Sequence, residues 1–335
     1  MATGSTRSIR PPRSICVVLA PLSLLLLGVV TSTATGTTNR RIRRRERAAE
    51  ARFPPTGRIL AVDGVHIHAH VEGKGPDLVL LHGANGSTRD FTFSMVNRLK
   101  DDFRVIAFDR PGLGWSEPLG PQGTDPSQQA RILRQAARIL GVDRPIVLGQ
   151  SYGGAVALAW ALEAPDAVAG LVIVAGASNP WPGKLGLWYR VVGSGFGRTT
   201  IVPLLTAFAT RKRTADAIKG IFAPEEMPEG YADHIGAGLT LRRRTMRENA
   251  RQVNGLRPHL VAMAQRYGTI TQPVEIVHGT ADTTVPLHIH SEPLSRQIPG
   301  AHLVRLDGAG HMPHHTREKE VIAAIYRAAT RAALR

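Results

Sequence analysis

Three side chains in this sequence could together carry acyl transfer: Ser151, Asp282 and His311. A serine hydroxyl attacks a carbonyl once an imidazole takes its proton, a carboxylate orients that imidazole, and N–H donors await the oxyanion. Ser151 stands in Gly149-Gln150-Ser151-Tyr152-Gly153, between the apolar run Pro145 to Leu148 and the helix-forming stretch Ala155 to Leu162. A strand that turns directly into a helix pushes the residue at its apex out of the sheet, and glycines two places to either side let the flanking backbones pass. Asp282 lies in His278-Gly279-Thr280-Ala281-Asp282 at the expected exit of another strand, and His311 in Gly308-Ala309-Gly310-His311 after the last one. The order Ser, Asp, His completes the pattern. His314 and His315 are rival bases, ranked lower because they sit further from the strand end and run into the terminal helix.

The oxyanion needs two donors. Leu81-His82-Gly83-Ala84-Asn85-Gly86 follows an early strand and offers the Ala84 amide; the Tyr152 amide, at the start of the nucleophile helix, is the second and gains from the helix dipole. His66, His68 and His70 alternate with apolar residues and invite a metal-ladder reading, but a solvated strand face explains them better because no fourth ligand is evident. No metal and no cofactor is expected.

These residues need a scaffold that delivers them to one edge. Leu78 to Leu81 and Val105 to Phe108 are short continuous apolar runs, as expected of strands covered on both faces. Further strands are expected at Val65 to Val71, Pro145 to Leu148, Leu171 to Val174, Val274 to Val277 and His302 to Leu306. Asp125-Pro126-Ser127-Gln128 reads as a capped helix start, and a closing helix runs from about Thr316 to Leu334. The fold class is therefore α/β, a mostly parallel central sheet with helices on both faces. Residues 178 to 268 break the rhythm: they hold 8 of the 17 aromatic residues and helical segments such as Leu239 to Val253. They are expected to form a helical cap over the nucleophile, inserted into a core made of residues 53 to 177 and 269 to 335.

With these pieces assembled, the chain resembles the capped, serine-nucleophile form of the α/β-hydrolase superfamily. The matching segments are Leu81-His82-Gly83, Asp109-Arg110-Pro111-Gly112-Leu113-Gly114-Trp115-Ser116, Gly149 to Gly153, His278 to Asp282 and Gly310-His311. The resemblance implies that His82, Gly83 and Trp115 shape the substrate pocket. It also implies carbonyl chemistry, because dehalogenases and epoxide hydrolases of this superfamily carry an aspartate where this chain has Ser151. Asn179 stands where some relatives place their acid, which favours Asp282. Hydrolysis of a carboxylic ester, hydrophobic or lipid-like, is the leading expectation. Hydrolysis of a C–C bond in a diketone-type substrate or cofactor-free perhydrolysis uses the same triad, and basic cap residues near the pocket would favour the former. A membrane-bound binding protein on a hydrolase scaffold is the non-enzymatic alternative.

Charge is unevenly distributed. The chain of 335 residues carries a net charge of +16, with 10 basic against 2 acidic residues in 1 to 52 and 14 against 6 in 178 to 268, while the remainder balances. Its single cysteine, Cys16, excludes an internal disulfide. Arg7, Arg10 and Arg13, the apolar run Ile15 to Val30 and the arginine-rich segment Arg40 to Arg47 predict an N-terminal membrane anchor or, alternatively, a signal removed on export. An anionic membrane surface is the expected macromolecular partner. Nucleic acid is not expected, since neither stacking aromatics nor a reading helix accompanies the arginines.

Overall fold

A computed structural model describes residues 19 to 334 apart from residue 184, with side chains from residue 36 onward. Eight strands form one sheet in the order β1-β2-β4-β3-β5-β6-β7-β8. They are β1 Arg58–Val62, β2 Val65–Glu72, β3 Asp77–Leu81, β4 Arg104–Phe108, β5 Ile146–Gln150, β6 Gly170–Val174, β7 Val274–Gly279 and β8 His302–Leu306. The first two pairings, β1 with β2 and β2 with β4, are antiparallel, and all others are parallel. The continuous apolar runs are explained by the pleat: Val79 and Leu81 point into one core cluster, Leu78 and Leu80 into the other. Helices Pro126–Ile139 and Tyr152–Glu163 fill the first face, Met95–Leu99 and Glu318–Arg331 the second. Asp125 caps the first of these by accepting from the Ser127 amide at 2.8 Å, with Pro126 leading the helix.

A helical insertion separates β6 from β7 and covers the carboxyl ends of the parallel strands. The helix expected over Leu239 to Val253 is two: Ala237–Thr240, then Arg243–Ala264 after an extended Arg242. The break has a packing reason. Arg242 is 4% exposed, hydrogen-bonds the Gly114 carbonyl, pairs with Glu50 at 3.1 Å and lies over the Trp115 ring at 5.4 Å. One of the basic residues of the insertion thus ties the cap to the core.

The N-terminal expectation needs correction. The helix Leu19–Arg52 takes in most of the apolar run and all of the arginine-rich segment, and no single helix among the described residues is long and apolar enough to cross a membrane. Arg7, Arg10, Arg13 and the start of the apolar run lie outside the described residues. The arginine-rich segment that was to face lipid rests one side on the cap, with Arg40, Arg43, Arg44 and Arg47 exposed: Arg41 and Arg45 donate to Ala207 O at 2.8 and 2.9 Å, where the short helix Val202–Phe208 ends in unpaired carbonyls. Glu46 receives Arg243 at 3.0 Å, and Ile42 and Ala49 are buried between these polar contacts. A membrane anchor and a membrane location are therefore not supported: no single helix among the described residues suits a bilayer crossing, and Arg41, Arg45 and Glu46 of this segment engage the cap.

Ile42 is fully buried, so Ile42→Ala removes a central apolar contact and is expected to weaken the helix's seat by ~2–4 kcal/mol. Faster tryptic cleavage at Arg43 to Arg47, with the rest of the chain still resistant, is the expected readout. An unchanged cleavage rate would show that the helix is held some other way.

Candidate active site

Ser151 occupies the apex between β5 and helix Tyr152–Glu163 with φ 52° and ψ −119°, outside the regions that side-chain-bearing residues ordinarily adopt. The neighbouring glycines make this possible. A Cβ on Gly149 would strike the Gly153 carbonyl, and one on Gly153 would strike the Leu81 carbonyl at the end of β3. Gly149 thus lets β5 pass the helix that follows it and Gly153 lets that helix approach β3, which brings the Tyr152 amide beside the loop that carries Ala84.

The three side chains expected to meet do so. His311 Nε2 lies 3.0 Å from Ser151 Oγ, and His311 Nδ1 lies 2.7 Å from Asp282 Oδ2. A carboxylate only accepts, so Nδ1 carries the hydrogen and Nε2 is left to accept from the serine. Asp282 is held firmly: Oδ1 accepts the Thr284 and Val285 amides at 2.8 and 2.9 Å, and Oδ2 also accepts His278 Nε2 at 3.1 Å. Burial alone would raise its carboxyl, but the hydrogen bonds from His278 and His311 outweigh burial and hold it well below the usual range. The rivals are turned elsewhere. His314 and His315 direct Nε2 at Asp90, at 3.1 and 2.8 Å, and Tyr231 of the cap donates to the same carboxylate at 2.6 Å. Three possible ligand atoms of Asp90, His314 and His315 thus lie within 4.8 Å of one another, but both imidazole hydrogens are committed to the carboxylate. Asn179 is buried in hydrogen bonds to the His290 carbonyl and Gln297 and supplies no acid.

The amides of Ala84 and Tyr152 donate to no described group of the protein and flank Ser151. A side chain at Gly83 would collide with Gln150 Oε1 and the Ser151 Cβ, so only glycine lets this loop approach. His82 lies beneath it. Its Nε2 accepts the Arg110 amide at 2.9 Å and its Nδ1 donates to Gly83 O at 2.9 Å; burial, then the Arg110 charge, draw its pKa down to about 4 and keep it neutral. Arg110, fully buried, donates to His82 O, Gly83 O, Gln129 and Gln252 and lies 4.3 Å over the Tyr152 ring. Burial lowers it only to about 10, so it stays charged.

The resemblance implies that His82, Gly83 and Trp115 share the pocket, and the structure separates them. Gly83 lines the cavity above Ser151, His82 supports the loop from below, and Trp115 lines an arginine-rich depression on the outside. The reason lies in Asp109. Its carboxylate accepts the Thr88 and Trp115 amides and His68 Nδ1, folding the Asp109 to Ser116 loop so that the indole reaches Phe53 O and Arg242. The same contact explains why His68 is buried where a solvated face was expected, whereas His66 pairs with Glu117 and His70 with Thr56 and Glu72.

Ser151 opens onto a cavity with two lobes of about 550 and 390 Å³. Ala84, Asn85, Ser151, Tyr189, Ile221 and His311 face both. Ile218, Phe222, Ile235 and Met246 make the larger lobe apolar; Trp181, Leu185, Val253 and Ile289 do the same for the smaller. No lysine or arginine is found among the described residues lining either one.

The depressed Asp282 carboxyl has a consequence for stability. Its folded pKa lies below the 3.8 of a free aspartate, so the native state binds fewer protons than the unfolded state and this contribution is complete above about pH 5. It is lost as pH falls through 3.8 towards the folded value. Asp282→Asn is accordingly expected to be less stable than the parent at pH 7, by ~1–3 kcal/mol, with the gap narrowing below about pH 4. Urea midpoints measured across pH check this, and a gap that widens on acidification would refute it.

The chain is similar to known proteins along most of its length. The family described as alpha/beta hydrolase fold matches residues 76–318. Haloalkane dehalogenase 2 of Mycobacterium tuberculosis is 28% identical over 271 residues, covering 77% of this chain and 90% of that protein. The magnesium-chelatase 30 kDa subunit of Rhodobacter capsulatus is 30% identical over 250 residues, covering 72% and 82%. Among solved structures, the esterase RhEst1 from Rhodococcus sp. ECU1013 superposes with a TM-score of 0.65 at 25% identity, covering 81% of this chain and 97% of that one. The matched segment runs from β3 to the closing helix and contains the nucleophile elbow, the capped sheet and the His–Asp pair, and on these grounds the chain belongs to the alpha/beta hydrolase family.

Proposed function

We propose that this hydrolase cleaves uncharged, apolar carboxylic esters through an acyl-enzyme, with Ser151 as nucleophile, His311 as base and Asp282 as its orienting acid. The observation that carries the reading is the continuous relay from Ser151 Oγ to His311 Nε2 at 3.0 Å and from His311 Nδ1 to Asp282 Oδ2 at 2.7 Å. Ser151 Oγ bonds to the ester carbon as its proton passes to His311 Nε2, and the carbonyl oxygen becomes an oxyanion between the Ala84 and Tyr152 amides. Collapse breaks the bond to the leaving alkoxide, which takes the proton from Nε2. Water then repeats the sequence on the acyl-serine, giving the acid and free Ser151. Asp282 stays ionised throughout and stabilises the imidazolium.

Two considerations favour an ester over the alternatives. The dehalogenase name of a relative does not carry across, because that chemistry forms an alkyl ester on a carboxylate and position 151 is a serine. The C–C hydrolase reading rested on basic cap residues binding a substrate carboxylate, yet Arg242, Arg243, Arg244, Arg247 and Arg251 line the outer depression with Glu46 and Glu50, away from Ser151. A substrate anion would enter a cavity without a cation and lose its hydration uncompensated. We assign residues 178 to 268 as the lid over this cavity, within the same proposal.

Ser151→Ala is expected to lower p-nitrophenyl ester turnover by at least ~10³-fold while the melting transition is kept. Esters with a free carboxylate on the acyl chain should be poorer substrates than neutral esters of equal length by ~10-fold or more in kcat/KM. Failure of a fluorophosphonate probe to label the wild type would favour a binding protein over an enzyme.

A further inference from the structure

The loop at residues 83 to 86 is fixed from two sides. From the core, Gly83 O accepts Arg110 Nη2 at 2.9 Å, His82 Nδ1 at 2.9 Å and the Gly86 amide at 3.3 Å. That carbonyl shares a peptide plane with the Ala84 N–H, so these donors set one half of its aim. The other half is set at the next peptide. Asn85 stands at φ 59°, and its amide donates to Asn249 Oδ1 at 2.7 Å while its carbonyl accepts Thr240 Oγ1 at 3.0 Å. Thr240 and Asn249 both belong to the cap, more than 150 positions away along the chain. Asn249 is 3% exposed and lines neither lobe, so its acceptor oxygen is spent on the loop and not on substrate.

We infer that the cap completes the oxyanion hole, with Asn249 and Thr240 as positioning residues that hold Asn85 and thereby aim the Ala84 amide at the developing charge. This rests on the ester-hydrolase reading above and deepens it. A left-handed asparagine is costly when unsupported, and Arg110 reaches only the peptide before it. If the cap swings away, Asn85 loses both partners, the Ala84 amide is held only through the Gly83 carbonyl, and the aim of one of the two oxyanion donors is relaxed. Catalytic competence is thereby tied to cap closure: a substrate admitted by an open cap meets a full oxyanion hole only after the cap has settled on the loop.

The test uses full-length protein with Thr240→Val and Asn249→Leu, which keep shape and remove the hydroxyl donor or the acceptor oxygen, and Thr240→Ser, which keeps the hydroxyl. Each is assayed for kcat and KM on a p-nitrophenyl ester. Binding is measured for an apolar trifluoromethyl ketone and for the matching carbinol. Ser151 Oγ adds to the ketone carbon, its proton passes to His311, and the ketone oxygen becomes an oxyanion; the carbinol fills the same cavity with no such charge. The inference expects kcat to fall by roughly ten- to a hundred-fold with little change in KM, ketone affinity to fall in parallel, and carbinol affinity to hold. Thr240→Ser should recover most of the loss. Wild-type behaviour of Thr240→Val and Asn249→Leu would overturn the inference, as would equal losses of ketone and carbinol affinity, which mark a collapsed cavity. If the wild type itself neither turns over esters nor prefers ketone to carbinol, the ester-hydrolase reading fails instead, and the inference with it.

Discussion

The backbone of Ser151 is the constraint from which the rest of the site follows. Holding a serine at φ 52° and ψ −119° costs ~1–3 kcal/mol, and it persists because the surroundings over-determine it. Its amide donates to Val174 O at 3.0 Å, and its carbonyl accepts the Ala177 and Gly154 amides at 2.9 and 3.0 Å. Two strands and one helix are thereby locked to a single residue. The same turn that lifts Oγ from the sheet opens helix Tyr152–Glu163, so hydroxyl and Tyr152 amide are positioned by one event. Every other group has only to reach this fixed point.

That reach is organised by buried carboxylates, each at the centre of a loop. Asp282 gathers the turn after β7 and orients His311, Asp109 gathers the loop that carries Arg110, and Asp90 joins the core to the cap through His314, His315 and Tyr231. All three sit below the ordinary carboxylate range although burial opposes it: hydrogen bonds outweigh that penalty at Asp109 and Asp282, and at Asp90 the electrostatic pull of His314 leads, with hydrogen bonds from His314 and His315 behind it. A buried anion with its lone pairs satisfied is a directional device: removing one partner leaves an uncompensated charge, so the loops cannot drift independently. The relay at Ser151 is in this sense one of three such clamps, distinguished by having a nucleophile at its end.

What could be read in the sequence was what depends on local order along the chain. Continuous apolar runs gave the buried strands, Asp125-Pro126 marked a helix start, and the glycines around Ser151 marked a close approach, because each is a contest settled within a few residues. The helical insertion between β6 and β7 was legible as a break in that rhythm. What escaped was set by partners far away in sequence. The β1 strand Arg58–Val62 went unread since its alternation is short and its burial comes from pairing with β2. His68 looked like its exposed neighbours until Asp109 met it, and nothing near Arg110, His278 or Asn249 indicates that each closes a contact with a catalytic loop. Trp115 was assigned to the pocket by the resemblance, and the chain's own Arg242 and Phe53 account for its departure.

The excess of positive charge illustrates the same limit and explains how the cap stays in place. Counted along the sequence, the N-terminal segment and the cap are two basic blocks that should repel each other and seek an anionic surface. Folded, Glu46 and Glu50 face Arg243 and Arg242 across their contact, while Arg41 and Arg45 cover carbonyls at a helix end. Exposed pairs of this kind add little individually, but Arg242 is buried, and the pairing is reinforced by Ile42 and Ala49 beneath it. The N-terminal helix therefore acts as a strap across the cap's outer side, while Tyr231 and Asn249 bind its inner side to Asp90 and Asn85. A lid held on both sides leaves the core only when both sets of contacts give way together, so the strap favours the closed arrangement in which helix Arg243–Ala264 grips the oxyanion loop through Asn249.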